Sequence, residues 1–587
     1  VTGVTTETPP KQAGRAPARP GVPAGSRAWV PRVAGLLTYF AGLLDLASAL
    51  TPAEHSRVKE LTTYVPGAFT HAATAATVVS GLLLLMLAHS LRRRKRRAWR
   101  AVVALLGASV LLHLVKGLDL EEALVAVVVL AALLVFRNEF RAKGDPRTRW
   151  RALGVGLLLV GVSFLIGVLL VGVELGELTG SHSALDVLRH VGLGLVGVHG
   201  PLRFEHPGGR ADAILSDTLL ALGVLTALSV AYLALRTPEP RPHLTPGDEE
   251  RLRGLLARHG GRDSLGYFAL RRDKSLVWSP TGKAAVAYRV VSGVLLASGD
   301  PIGDPEAWPG AIKEFLALAE DHAWVPAVVG CSEVGGAAWV RAGLTALEIG
   351  DEAVVDVDDF TMEGRAMRNV RQCVVHVERE GYTASVRRIR DIPGEELAAV
   401  CSATSAWRGA ETERGFSMAL GRIGDPADPE AVLVTSYEDG TLRGFLHFVP
   451  WGRDGLSLDV MRRARDADRG LNEFLIVEAL RAAPALGVER ISLNFAVFRS
   501  ALERGERLGA GPILRMWRSV LLFASRWFQI ESLYRFNAKF RPVWEPRYVC
   551  FPSVRDIPRI AIAALEAEAF IVWPTRWMRR LPFAPVR

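Results

Sequence analysis

Cysteine is scarce in this chain: four residues in 587 (Cys331, Cys373, Cys401 and Cys550), with no CxxC pair. That excludes a disulfide framework and a thiolate zinc site, and it fits a reducing compartment. A GxxxxGK[ST] loop is also missing, so chemistry driven by a P-loop nucleotide is not expected. Ser417 lies in GFSMALG, which is not a GxSxG elbow, and no serine-hydrolase arrangement follows. His322, His376 and His447 stand alone, without Cys or His at ligand spacing, so no metal is expected. The first 27 residues hold no long apolar run; they are rich in Pro, Gly, Ala and Thr with scattered cations. They read as a disordered basic arm, and no short apolar core with a cleavage site makes them a cleaved signal peptide.

Apolar blocks are abundant further on. Mean hydropathy is +0.20, and up to about residue 236 the apolar residues fall in six blocks, near 29–50, 66–90, 99–117, 119–136, 151–174 and 213–235. About 20 helical residues cross a hydrocarbon core of about 30 Å, so an α-helical membrane domain of about six spans is expected over 28–236. The third and fourth blocks read as a hairpin turning at Lys116-Gly117-Leu118-Asp119, and 184–199 as an interfacial or re-entrant stretch. The loop LRRRKRRAWR (91–100) carries seven basic residues and no acid, and RNEFRAKGDPRTRWR (137–151) is also basic. Cytoplasmic retention of such loops places the N-terminus, and everything after residue 236, in the cytoplasm. A multi-pass protein of the plasma (inner) membrane is expected. Asp45, Lys116, Asp119, Glu121, Glu174, His182 and His190 lie in or beside the spans. Most sit near span ends, where snorkelling accounts for them; Asp45 is the least easily dismissed.

After a Pro-rich linker (237–247) the pattern changes to alternating helix and strand. EERLRGLLARHG (249–260), GAIKEFLALAEDHAW (310–324) and LNEFLIVEALRAAPALG (471–487) read as helices. AAVAYRVVSGVLLASGDPIG (284–303), VPAVVG (325–330), LSLDVM (456–461) and RISLNFA (490–496) read as strands, and AVLVTSYEDGTLRGFLHFVPWG (431–452) as a hairpin turning at Asp439-Gly440. Similar orders near 284–330 and 431–496 suggest two related α/β subdomains, at 248–400 and 401–560, before a C-terminal helix and basic tail (561–587). The formal net charge of +10 favours anionic partners, nucleic acid or an anionic membrane surface.

Seven phrases carry a resemblance: GDPIG (299–303), EIGDEAVVDVDDFTMEGRAMRNVRQ (348–372), FSMALGR (416–422), LSLDVMRR (456–463), GLNEFLIVEAL (470–480), LNFA (493–496) and LYRFNAKFRPVWEPRY (533–548). Over about 245–560 the chain resembles the C-terminal domain of the phosphatidylglycerol lysyltransferase family, the multiple peptide resistance factors. The resemblance implies tandem acetyltransferase-like (GNAT) folds. It also implies transfer of an amino acid, lysine first, from aminoacyl-tRNA to the headgroup hydroxyl of phosphatidylglycerol, reducing membrane negative charge and giving resistance to cationic peptides. Aminoacyl-tRNA is then a co-substrate, no cofactor is needed, and the partners are aminoacyl-tRNA, an anionic glycerophospholipid and the membrane, with a homo-oligomer left open. Alanyl or arginyl transfer, another glycerolipid acceptor, a CoA-binding enzyme of the same fold class, and a non-catalytic tRNA- or lipid-binding transporter are the alternatives.

Against that chemistry, the resemblance implies that Asp459 and Arg462, in a DxxR phrase at a strand end, act as proton acceptor and phosphate or carboxylate clamp. Asn472 and Glu473 open a helix, where capping or a substrate-amine contact would employ them. Asn494 sits in an otherwise apolar strand and needs partners. Arg365, Arg368 and Arg371 in MEGRAMRNVRQ share one face if that segment is helical, facing tRNA, the membrane or the neighbouring subdomain. LYRFNAKFRPVWEPRY crowds five aromatics, four cations and two prolines into sixteen positions. There Lys539 and Arg547 are candidates for a phosphate or oxyanion and Asn537 for orienting a substrate, while the rings pack and Pro542 and Pro546 hold the strand ends open. ILRMWRSVLLFASRWF (513–528) reads as an amphipathic helix, and the Trp/Arg-rich C-terminus as membrane-grazing.

Overall fold

The computed structural model describes residues 29–50, 67–92, 94–117, 120–140, 146–173, 183–198, 200–202, 210–235, 240, 242–409, 415–497 and 530–571. The readings made for the basic arm, the 513–528 helix and the C-terminal tail lie outside them. The chain divides into two compact units, residues 1–236 and 237–587.

The first unit is helical: α1 (Val30–Leu50), α2 (Gly67–Arg92), α3 (Arg96–Gly117), α4 (Leu120–Val135), α5 (Pro146–Val173), the short α6 (Ala184–Gly194) and α7 (Arg210–Leu235). Helices stand at all six expected blocks. Two windows, Val30–Ser48 and Leu215–Tyr232, are long and apolar enough to cross a membrane; shorter apolar stretches are Ala76–Arg92, Ala123–Val135 and Gly156–Gly172. The six expected spans are thus two clear ones among the described residues. Arg96, Arg97 and Arg100 in α3, and Arg147, Arg149 and Arg151 in α5, dilute the apolar character of those helices, and α4 has 16 residues. In this unit large apolar side chains face outward, and polar ones are buried among an apolar core that includes Leu84, Leu87, Val102 and Val129. Leu36, Phe40, Val128, Leu165 and Leu225 are exposed, while Thr38, Asp45, Ser48, Thr77, Ser80, Ser109 and His113 are buried. An apolar exterior over a polar seam suits a hydrocarbon solvent, not water. Glycines allow close approach: a Cβ on Gly42 would stand 2.9 Å from the Gly81 carbonyl oxygen, and one on Gly81 equally close to that of Gly42.

The second unit is built on one twelve-stranded sheet. Its strands are β1 (Ser275–Trp278), β2 (Ala284–Val291), β3 (Val294–Ser298), β4 (Ile302–Gly303), β5 (Val325–Cys331), β6 (Thr345–Asp356), β7 (Thr383–Arg388), β8 (Val432–Glu438), β9 (Thr441–Trp451), β10 (Gly455–Arg463), β11 (Arg490–Val497) and β12 (Val543–Phe551). The order is β1-β2-β3-β5-β12-β6-β11-β10-β9-β8-β7, with β4 on β2. Two hairpin turns have consecutive positive φ, 48° and 72° at Ser292-Gly293 and 48° and 75° at Asp439-Gly440. That geometry matches the right-handed strand twist and favours Gly at the second place.

Each half repeats one plan. β1, β2 and β3 form an antiparallel meander, and α9 (Trp308–His322) crosses over so that β5 runs parallel to β3. β8, β9 and β10 do the same, and α13 (Leu471–Ala482) brings β11 parallel to β10. The closing strands are exchanged: β6 pairs with β11, while β12 pairs with β5 and β6. The halves therefore share a ladder and cannot part without breaking it. β12, which ends the ring-and-cation segment, is an inner strand. Pro542 precedes it, but Pro546 lies inside it opposite Asp351, beside the register shift at Arg547/Tyr548. The expectation that both prolines mark strand ends is corrected; the irregular register accommodates a residue without an N–H donor. Before it runs α14 (Ile530–Ala538), and the rings pack on one another, Tyr534 stacked on Trp544 at 4.8 Å and Phe536 edge-on to Phe540 at 5.7 Å.

Candidate active site at a forked strand pair

The parallel pairing of β10 with β11 covers only Gly455–Ser457 against Arg490–Ser492; beyond it the strands diverge. Both break register at the fork. β10 shifts between Leu458 and Val460, so Asp459 is an extra residue against β9; β11 shifts between Ser492 and Phe495 against β6. Bulges re-aim side chains and free backbone groups for other partners. Asn494 takes φ +70° here, a left-handed conformation that Asn tolerates. Its Nδ2 donates to the Leu458 carbonyl at 2.9 Å and to that of Met418 at 3.5 Å, tying the two prongs and the FSMALGR segment together.

The bulge turns Asp459 toward β9. Its Oδ2 lies 2.7 Å from Nδ1 of His447, and its Oδ1 accepts the Leu420 N–H at 2.7 Å. The two side chains are 0% and 1% exposed. Both carboxylate oxygens are engaged, so Asp459 is held as an orienting group and not as a free base. With a proton on Nδ1 donated to the carboxylate, Nε2 of His447 presents a lone pair, and that atom is buried without a hydrogen-bond partner. This histidine was set aside in the sequence because no metal-ligand spacing surrounded it. Its signal was the hairpin: Trp451 faces Gly455 across the turn, and counting back four residues on each side puts His447 opposite Asp459.

A second pair joins α13 to the segment before β12. Lys539 Nζ donates to Glu473 Oε1 at 2.6 Å and sits 5.3 Å from the Phe536 ring centre. Glu473 is buried, whereas Lys539 is 40% exposed, which leaves its ammonium accessible to an anion. Helix α13 takes no side-chain cap, so capping does not explain Asn472 or Glu473. Oδ1 of Asn472 is buried and unpartnered. Asn537 is buried and its Nδ2 reaches the Leu493 carbonyl at 3.4 Å, bringing the start of the β12 segment to the prong of β11. Arg462 donates Nη1 to the Thr404 carbonyl at 3.0 Å. Asp459, Asn494 and, through the Leu493 carbonyl, Asn537 are thus held at the fork; Lys539 and Glu473 pair two residues along from Asn537, and Arg462 lies three residues past Asp459 on β10, bonded to Thr404.

Arg547 does not join them. All five of its N–H donors end on protein: Nε on Glu352, Nη1 on Asp263 (2.7 Å) and the Gly330 carbonyl (3.2 Å), Nη2 on Ser264 (2.7 Å) and Glu352. With 2% side-chain exposure it has no donor for a substrate phosphate. Glu352 also accepts from Ser492, whose Oγ accepts the Asn494 N–H at 3.1 Å. Arg547 therefore reaches the fork only through Glu352 and Ser492, as a positioning residue. The same network contains Asp300 of GDPIG, which accepts the Ser332 N–H (2.8 Å) and Oγ–H (2.6 Å); burial, then the charge of Asp263, pushes its carboxyl up to about 7. Nearby in the first half, burial lowers the Lys274 amine to about 7, where it donates to the Phe268 carbonyl and Ser298 Oγ.

The three arginines of MEGRAMRNVRQ do not share a helix face. Helix α11 (Arg368–Arg379) begins only after Gly364 turns the chain at φ +82°. Arg365 precedes the helix, and Arg371 folds back onto the carbonyls of Met362 (2.5 Å) and Gly364 (3.4 Å). Arg365 and Arg368 are exposed.

An exchanged two-half α/β sheet, opened at a fork beside a buried Asp–His pair, is the architecture of the second unit. Residues 253–551 match the family described as "Phosphatidylglycerol lysyltransferase, C-terminal", and the chain belongs to that family. Residues 26–232 match the "Transmembrane region of lysyl-tRNA synthetase". The chain is 41% identical over 552 residues to the lysylphosphatidylglycerol biosynthesis bifunctional protein LysX of Rhodococcus jostii, covering 93% of this chain and 49% of that protein. It is 40% identical over 563 residues to the protein of that name from Mycolicibacterium gilvum, covering 94% and 51%. The chain thus spans about half the length of these curated relatives. The fold of the second unit is shared with L-PGS from Bacillus licheniformis, at a TM-score of 0.50 and 23% identity, over 57% of this chain and 99% of that one.

Proposed function

We propose that this chain is an integral-membrane aminoacyltransferase that moves an amino acid, lysine in the first instance, from aminoacyl-tRNA to the headgroup hydroxyl of phosphatidylglycerol. The observation that carries the chemistry is the unpartnered Nε2 of His447, backed by Asp459. A lipid hydroxyl entering the fork supplies the donor that Nε2 lacks. His447 takes its proton as the oxygen attacks the ester carbonyl of the aminoacyl group. The ammonium of Lys539 stabilises the oxyanion or the lipid phosphate, held in place by Glu473. Collapse expels the terminal ribose oxygen of the tRNA, which recovers the proton from His447. The activated ester already carries the driving force. Exposed Arg365 and Arg368 offer cations to the tRNA backbone. The membrane unit is assigned six spans with the basic loops at 91–100 and 137–151 in the cytoplasm, so the second unit works on the inner leaflet.

Membranes containing the chain are incubated with radiolabelled lysyl-, alanyl- or arginyl-tRNA, and label is followed into extractable lipid. Label should enter a phosphatidylglycerol-derived lipid from lysyl-tRNA and stop after RNase treatment of the donor. Entry from another aminoacyl-tRNA alone would overturn lysine as the amino acid. No entry from any donor, or entry that survives RNase, would overturn the transferase reading.

A further inference from the structure

Within the membrane unit, Asp45 of α1 and His113 of α3 meet with nothing in the transfer chemistry to employ them. His113 Nε2 lies 3.0 Å from Asp45 Oδ1, and Ser109 Oγ donates to the same oxygen at 2.9 Å. Asp45 is 3% and His113 0% exposed. The outer atom of each is unpartnered: Asp45 Oδ2 and His113 Nδ1 are both buried with no hydrogen bond. Ser80 Oγ on α2, also buried and unpartnered, is one residue from Gly81, at which a Cβ would stand 3.1 Å from that of Asp45.

These atoms can be satisfied in few ways. With His113 neutral and donating from Nε2, Asp45 Oδ2 and His113 Nδ1 are two acceptors facing no donor, and the site carries one uncompensated negative charge. A proton on the pair removes that charge and turns one acceptor into a donor. Ionisable side chains inside a membrane unit persist when they pair or when they handle charge. Among the described side chains, the other charged groups on the packed helices lie far along them. Arg32 of α1 is 13 residues from Asp45, and Arg100 of α3 is 13 from His113, each about 20 Å at 1.5 Å per residue. His89 and Arg92 of α2 lie eight and eleven residues beyond Gly81, roughly 12 and 16 Å. Glu121 of α4 is exposed, Asp217 lies on α7, and the side chains of His71, Lys116 and Glu122 are outside the described residues.

We propose that Asp45 and His113 form a proton-exchanging site of the membrane unit, taking up and releasing one proton as a pair. The test is infrared difference spectroscopy of the full chain in lipid nanodiscs, titrated across neutrality with every protein carrying Asp300→Asn, which removes the buried carboxyl of the second unit that titrates at about 7; below, wild type means this background. The wild type should show a carboxyl band that titrates. That band should vanish in Asp45→Asn, and in His113→Gln its midpoint should move by about one pH unit or more, as expected when a neighbouring charge within 4–6 Å is removed. No titrating band in the wild type, or the same band in Asp45→Asn, would overturn the proposal and leave a static hydrogen-bonded pair satisfied by water. If Asp45→Asn loses its helix content, the wild type and His113→Gln titrations decide the matter: equal midpoints reject coupling.

Discussion

Removing Arg547 should be among the most damaging single changes in the second unit, although its charge touches no substrate. In Arg547→Met the apolar volume is retained, but Glu352 loses two of its hydrogen-bond donors and Asp263 its ion-pair partner at 2.7 Å. Glu352 is 0% and Asp263 5% exposed, so neither carboxylate gains water in exchange. Breaking a buried pair by deleting one partner costs about 3–5 kcal/mol, because the other charge is left buried. Residues 237–587 should unfold with an entropy near 0.7 kcal/mol/K at about 2.1 cal/mol/K per residue, so the midpoint should fall by roughly 4–7 °C. Differential scanning calorimetry of the full chain in detergent reads this directly. Glu352→Gln in the Arg547→Met background should recover part of the loss, because an amide needs no counter-charge. A fall of less than 1 °C for Arg547→Met, or a double variant less stable than the single by the full cost of each, would refute the network.

Two buried ionisable groups give stability opposite slopes on either side of neutrality. Asp300 holds a proton up to about 7 against 3.8, so between those pH values the folded chain carries a proton that the unfolded chain has lost, and stability falls as pH rises. Lys274 loses its proton at about 7 against 10.5, so above pH 7 the unfolded chain carries the extra proton and stability rises again. Thermal midpoints against pH should flatten on the acid limb in Asp300→Asn and on the alkaline limb in Lys274→Met; limbs unchanged by these variants contradict the assignment. At Asn494, Val should destabilise by about 2 kcal/mol through the left-handed backbone and the lost bond to Leu458. Gly there should cost less than Val in denaturant melts, yet both should lose transfer. Lys539→Gln leaves the buried Glu473 carboxylate without its counter-charge and should cost about 1–3 kcal/mol, while labelled-lipid formation drops at least tenfold.

Helix positions in the membrane unit, the two hairpins and both crossover helices were legible in the sequence, because apolar periodicity and positive-φ turns are local signals. Strand exchange was not, since nothing in VWEPRYVCF or TALEIGDEAVVD says which half its partner belongs to. That is why Arg547 resembled a substrate ligand: its cation was visible, its inner-strand burial was not. Lys539, four residues before β12 begins at Val543, kept an exposed ammonium and the role read for it became a proposal. His447 was hidden differently. Its partner lies twelve residues away across a turn, so the pair appears only when residues are counted outward from that turn.

Everything proposed for the chemistry turns on His447 Nε2 as the atom that takes the lipid proton. The most direct measurement is the kcat for label transfer from lysyl-tRNA by His447→Gln, with the KM for phosphatidylglycerol determined alongside and fold checked by calorimetry. A positioned general base contributes about 10²–10⁴-fold, so kcat should fall by that range with KM changed less than about threefold. A folded His447→Gln enzyme that retains kcat within twofold of wild type would contradict the account.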